Sequence, residues 1–382
     1  MSDVALRPRT SAPTRPQLTI DLAAVAANTR LLADRAGGEL MAVVKADGFG
    51  HGAVDVARTA LAHGATRLGV TTLDEAWPLR DAGLAVPLLS WLNPVDADWA
   101  AAAARDVDVA VPSLQHLAAV AAAPGRHRVH LHVDAGMARD GADPASWTQL
   151  CRGARRAEQR GELTVVGVMG HLGCADDPDD DCNALGRTRF AWAVEVARAT
   201  GLRPRDRHLA ATSATLTDPR AHHTMSRVGA GLVGIDPTRT TDLRPAATLT
   251  APVVQVRRVR AGTPVGYGHA HRTRSATYLG LIPVGYADGL PRAAAGRAEV
   301  LVRGVRRPVV GRISMDQAVV DLGGRGVDLG EIVTVFGPGT QGEPTVAEWA
   351  DWAGTIEHEV VTGIGARVGR RTLAVPHLRS LS

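Results

Sequence analysis

The chain is poor in aromatic residues, with three Phe, three Tyr and seven Trp among 382 residues. Its core must be built from aliphatic side chains with tryptophan as the large pieces, and each tyrosine is a candidate for chemistry with few rivals. Cysteine is equally scarce. Cys151, Cys174 and Cys182 form no CxxC pair; their odd number argues against a complete disulfide framework, and their spacing against a structural zinc site. No stretch reaches the ~18 uninterrupted apolar residues of a membrane helix, so no membrane partner is expected. Charge of one sign is also missing: 43 Lys+Arg against 39 Asp+Glu leave a formal net charge of +4. Scattered arginines in that balance fit a solvated surface and anionic small molecules, not nucleic acid. The opening MSDVALRPRTSAPTRPQL has neither an apolar core nor a small-residue cleavage signal. Residues 1–17 read as a disordered leader and the protein as cytoplasmic.

What is present is the profile of a soluble globular protein, 45% hydrophobic and 21% charged, long enough for two cores. From 18 to 245, short apolar runs alternate with longer amphipathic stretches. LMAVVK precedes AVDVARTALAHG, VDVAVPS precedes LQHLAAVAAA, and VHLHVDAGM precedes ASWTQLCRGARRAEQR. About eight such beats occur, and their strand cores are continuously apolar, as strands covered by helices are. A (β/α)8 barrel is the simplest architecture with that count, and a doubly wound sheet is its rival. After 246 the texture changes to short strands between Gly/Pro-rich turns, with EPTVAEWADWAG the one convincing helix. Residues 246–382 read as a separate, mostly antiparallel β domain.

Several residues stand where chemistry is done. Lys45 ends an aliphatic run, and a lysine desolvated there has a lowered pKa, as a nucleophilic amine requires. Strand C-terminal ends form the reaction face of a barrel. His171 in GVMGHLG and His208 in DRHLAATSA also fall near strand ends. Arg139 in DAGMARDG has the fork that grips a carboxylate. Arg227 precedes the glycine-rich VGAGLVG, whose free N–H groups suit a phosphate. VGYG and PVGYADG hold Tyr267 and Tyr286 in glycine turns, and GRISMDQ is a polar loop between strands. Taken singly, each also fits an ordinary structural role.

Taken together, AVVKADGFGHG, VDAGMARDG, MGHLG, HLAATSATL, MSRVGAGLVG, VGYG, PVGYADGLPR, VGRISMDQ and AGTIEHE resemble, in order, the alanine racemase family of fold-type III pyridoxal-phosphate enzymes. The resemblance implies a (β/α)8 barrel binding pyridoxal 5'-phosphate. It also implies a C-terminal β domain that completes the site of a partner subunit in a head-to-tail homodimer, with a small amino acid as substrate. By motif, Lys45 is similar to the Schiff-base lysine and base on one face of Cα, and Tyr267 to the base on the other. His171 resembles the neighbour that keeps the tyrosine competent, and Arg139 the group orienting substrate or tyrosine. Arg227 resembles the arginine facing the pyridine nitrogen. Thr212, Gly229 and Ala230 resemble phosphate contacts. Met315 and Asp316 resemble the loop reaching the partner's pocket, and Tyr286 the entrance tyrosine.

The departures fall in the cofactor and substrate shells. Phe49 stands for the tyrosine of KADxYGHG, removing a phenol near the phosphate. His358 replaces the tyrosine of TIxYE. His132 occupies the place of the lysine often carbamylated beside the substrate arginine. Ala211 and Thr212 replace an asparagine and a serine, and Ser314 a cysteine. The expected activity is racemisation of alanine. Racemisation of serine or a specialised amino acid, a related decarboxylase and a non-catalytic homologue are the alternatives.

Overall fold

The computed structural model describes residues 14–375, so most of the expected leader, residues 1–13, lies outside it. The segment QLTID, of which the sequence reading places residues 18–21 in the barrel and Gln17 in the leader, forms β1 (Gln17–Asp21) and pairs elsewhere. It lies antiparallel to residues 247–250 and parallel to residues 369–373. The correction has a physical reason. Leu18 and Ile20 are buried while Gln17, Thr19 and Asp21 are only half-buried, the period-two pattern of a strand covered on one face. The described residues accordingly divide into Ala24–Arg244 and a second unit made of residues 14–23 with 245–375.

The first unit contains eight parallel strands: β2 (Glu39–Val43), β3 (Arg67–Val70), β4 (Leu88–Ser90), β5 (Val107–Val111), β6 (His127–His132), β7 (Leu163–Met169), β8 (Asp206–His208) and β9 (Met225–Val228). They pair in sequence from β2 to β8, with β9 returning beside β2. Between β8 and β9, Thr224 N–H donates to Arg207 O at 3.1 Å and Arg227 N–H to Ala210 O at 3.0 Å, which nearly closes the cylinder. The barrel therefore prevails over the doubly wound sheet. Several of the intervening helices start where side-chain oxygens accept first-turn N–H groups. Thr72 accepts from Glu75, Ser113 from His116, and Asp143 from Ala145 and Ser146. The core is aliphatic as composition requires. Trp147 is fully buried, and its indole N–H bonds Ala193 O at 2.9 Å.

The second unit is a nine-stranded sheet. To β1 it adds β10 (Ala247–Pro252), β11 (Gln255–Val259), a ribbon of β12 (Pro264–Val265) and β13 (His271–Arg272), β14 (Thr277–Ile282), β15 (Glu299–Val302), β16 (Val305–Val310), β17 (Ala318–Gly323), β18 (Ile332–Phe336) and β19 (Gly369–Leu373). The ribbon is separate; the remaining strands run β11-β14-β17-β16-β15-β18-β10-β1-β19, antiparallel except for β1 with β19. The expected helix spans Val346–Ala353, with a reciprocal cap between Thr345 and Glu348. A second, Glu357–Thr362, escaped sequence reading. Cys174 and Cys182 are joined in a disulfide, which the odd cysteine count did not suggest, and Cys151 is free and buried. No helix among the described residues is long and apolar enough to cross a membrane.

Candidate active site

The motif KADGFGHG owes its composition to an uncommon backbone. β2 ends at Val43, and Ala46, Asp47, Gly48 and Phe49 all take left-handed φ/ψ values. For non-glycine residues that conformation costs about 1–2 kcal/mol each, so the turn must be held from outside. It is. Gly48 N–H donates to Val44 O at 2.9 Å and Gly52 N–H to Asp47 O at 2.8 Å. The Asp47 carboxylate accepts from Ala53 N–H at 2.9 Å. Glu75, absent from the sequence reading, accepts from Ala46 N–H and Thr71 N–H, each at 2.7 Å. Lys45 opens this turn at the C-terminal end of the barrel. Burial lowers its pKa most, Arg139 and then Arg227 lower it further, and Glu75 opposes them.

Arg227 projects from β9 with only 5% of its surface exposed. Its guanidinium donates to His208 O at 2.8 Å, Gly170 O at 2.7 Å and Leu209 O at 3.3 Å. It also meets His208 Nδ1 at 2.9 Å and His171 Nδ1 at 3.3 Å. Every acceptor is neutral, and burial pulls its pKa to about 10. Arginine remains a cation at that value and can only donate, so both Nδ1 atoms must accept. The His171 pKa falls to about 3, through burial first and then the charges of Arg227, Arg139 and Lys45. His171 is therefore a neutral imidazole with its proton on Nε2.

The other barrel candidates cluster nearby in the fold. Gly229 and Ala230 follow β9, and Thr212 opens the helix Thr212–Thr217, its hydroxyl accepting from Gly231 N–H at 3.2 Å. Ala211 gives that helix no side-chain cap, so its first-turn N–H groups lack that partner. A Cβ at Gly229 would lie 2.6 Å from the para carbon of Phe49, so a hydroxyl on that ring would emerge beside the Gly229 backbone. Arg139 is exposed on a loop that Asp134 braces, its Oδ1 accepting from Gly136, Met137 and Ala138 N–H. His132 is buried, with Nδ1 3.5 Å from Asp140 Oδ2. Burial raises the Asp140 carboxyl pKa, but the nearby His132 outweighs it and leaves the pKa lowered. Glu75 and Asp134 lack a local sequence pattern; the buried His-x-His of VHLHVD was a legible signal.

The remaining candidates belong to the second unit. Tyr267 stands in the turn between β12 and β13, flanked by Gly266 and Gly268 at φ +69° and +68°, and is 70% exposed. Tyr286 and Met315 are exposed as well. Tyr286 N–H bonds Ser314 O at 3.0 Å and Ala287 N–H bonds Met315 O at 2.9 Å, knitting PVGYADG to GRISMDQ. A Cβ at Gly285 would lie 2.3 Å from Ser314 O, which explains the glycine. Arg367 bridges Asp288 at 3.0 Å and Asp316 at 2.7 Å. His358 is half-buried on the helix Glu357–Thr362.

Comparison with known proteins follows this division. Residues 20–237 match the family described as alanine racemase, N-terminal domain, and residues 246–372 its C-terminal domain. An alanine racemase of Thermobifida fusca is 45% identical over 359 residues, 92% of this chain and 96% of that protein. The solved alanine racemase of Streptomyces coelicolor superposes with a TM-score of 0.92 at 44% identity, covering 95% of this chain and 99% of that one. One from Bartonella henselae, solved with covalently bound pyridoxal phosphate, gives 0.85 at 25% identity, over 94% and 100%. Two domain matches across nearly the whole chain, with this identity and this barrel, make the protein a member of the alanine racemase family.

Proposed function

We propose that the protein interconverts L- and D-alanine with pyridoxal 5'-phosphate as cofactor, using Lys45 and Tyr267 as its two bases. The observation that carries the reading is a half-buried amine, Lys45, whose pKa is lowered by burial first and then by Arg139 and Arg227, the last a guanidinium with no carboxylate partner among the described residues. The donor set suits the cofactor. Lys45 would supply the amine for the aldehyde carbon, Arg227 would serve the ring nitrogen, and Thr212, Gly229 and Ala230 would hold the phosphate, with Phe49 and His358 at its margin. When bound, the cofactor withdraws electrons from Cα and so acidifies its proton.

The residues divide the remaining work. Lys45 takes or returns the Cα proton on one face, and Tyr267 does so on the other, so both enantiomers are substrates. His171, with Nδ1 committed to Arg227, presents Nε2–H; that donor favours a neighbouring phenolate. Arg227 opposes protonation of a ring nitrogen beside it by charge repulsion. Arg139 orients the substrate carboxylate, while Met315, Asp316 and Tyr286 line its approach. The exposure of Tyr267, Tyr286 and Met315 supports a head-to-tail homodimer in which each β unit serves its partner's barrel.

The test is proton–deuterium exchange at Cα, followed by NMR in D2O with separate L and D forms of alanine, serine and other amino acids. Exchange with inversion of both alanine enantiomers is expected. Inversion of another amino acid but not alanine moves the substrate. Exchange with none, despite bound cofactor, overturns the racemase reading.

A further inference from the structure

Arg227 is one end of a longer buried series that the proposed mechanism leaves unused. His208 Nε2 lies 2.9 Å from His130 Nδ1, and His130 Nε2 faces Asp108 Oδ2 at 3.6 Å. The other oxygen of Asp108 accepts from Arg128 Nε at 2.6 Å. Asp108, His130 and His208 are all buried, with at most 3% exposure. They belong to β5, β6 and β8, so the series crosses the barrel interior from Arg227 toward the strands' N-terminal ends.

The direction of each bond follows from elementary donor counting. Arg227 can only donate, so His208 Nδ1 accepts and the proton of the neutral ring sits on Nε2. Among the described residues that N–H has one acceptor within reach, His130 Nδ1, which places the second ring's proton on Nε2, toward Asp108. Burial and the charge of Arg227 hold the His208 pKa well below the ordinary value, so the ring stays neutral. Arg227 thus remains uncompensated while its guanidinium is fixed in plane by a partner that cannot itself turn.

The backbone is shaped around this series. The register of β6 against β7 shifts between Val129 and His130, and opposite stands Gly167. A Cβ there would lie 2.1 Å from His130 Nδ1. The barrel omits a side chain to admit an imidazole where an aliphatic residue would pack without needing hydrogen bonds.

We propose that His130, with the Asp108 carboxylate beside it, is a positioning residue for Arg227: the hydrogen-bonded series His130–His208–Arg227 locks one tautomer of His208 and so the orientation of the guanidinium. The role given to Arg227 rests on the function proposed above; the tautomer order does not.

The experiment uses full-length protein with 15N-labelled histidine, in cofactor-free and pyridoxal-phosphate-loaded forms, and reads the imidazole nitrogens of His208 by NMR. His130→Asn places an amide oxygen where Nδ1 stands; His130→Gln reaches instead toward the Nε2 position. Wild type and His130→Asn are expected to show His208 protonated on Nε2 alone. His130→Gln is expected to lose that single tautomer for a mixture, with a weaker dissociation constant for pyridoxal phosphate and a shifted absorption maximum of the bound cofactor. A His208 protonated on Nδ1 in wild type, or identical His208 spectra in the two variants, overturns the proposal. If the tautomers are as described and no amino acid exchanges its Cα proton, the racemase reading fails and the positioning stands. A merely structural role for His130 would lower the melting temperature of both variants alike without separating their spectra.

Discussion

The two units hold their functional residues in opposite ways. In the barrel, Lys45, His171 and Arg227 are withdrawn from water, and burial is the leading cause of each depressed pKa. In the β unit, Tyr267, Tyr286 and Met315 stand on glycine-rich loops with much of their surface exposed. One region has its chemistry set by the fold that carries it; in the proposed homodimer, the other offers side chains whose environment comes with assembly. In the proposed two-base reaction, this separates a built half from a delivered half.

The sharpest way to break the comparison is to remove one member from each side. Lys45→Ala should abolish both racemisation and the visible absorbance of lysine-linked cofactor; a persistent band would remove Lys45 from its role. Tyr267→Phe should leave cofactor binding intact yet lower conversion in at least one direction by about 10²–10⁴-fold, the usual range for a lost acid–base group. Equal conversion both ways in that variant would mean that the delivered half is not a base.

Two smaller effects test how finished the built half is. Phe49→Tyr points a hydroxyl toward Gly229 and should tighten cofactor binding by roughly 1.5–3 kcal/mol at most, the value of a charge-assisted hydrogen bond. An unchanged dissociation constant would mean that other donors already satisfy the phosphate. Acid should also separate the units. His171 titrates at about 3 in the fold against an ordinary 6.5, so between those values the unfolded chain binds more protons. Stability from this group is full above 6.5 and is lost as pH falls toward 3. Amide hydrogen exchange should therefore show β6–β9 losing protection before the β unit does; simultaneous loss would contradict it.

Much of this was legible beforehand, and the misses have physical causes. Continuous apolar runs announced the barrel strands because helices cover them, and glycine-rich turns announced the sheet that follows. β1 was misplaced because five residues beside a helix resemble any β-then-α beat; its half-buried alternation was visible but brief. Lys45, His171 and Arg227 are marked as candidates by their motifs, and the structure brings them near one another. Glu75 and Asp134 are not, since their work is to hold backbone N–H groups of loops whose conformation no local pattern reveals. The Cys174–Cys182 bond was hidden by an odd count, which excludes a complete set of pairs but not a single one.

The position of β1 also bears on how the protein is made. Its neighbours are residues 247–250 and 369–373, so the sheet cannot be finished until those residues have left the ribosome. The barrel, a contiguous insert from 24 to 244, can mature while the first strand waits. Because pairing over such separations is slow, the rate at which newly made enzyme becomes active should follow the closing of β1 between its distant neighbours, not the folding of the barrel.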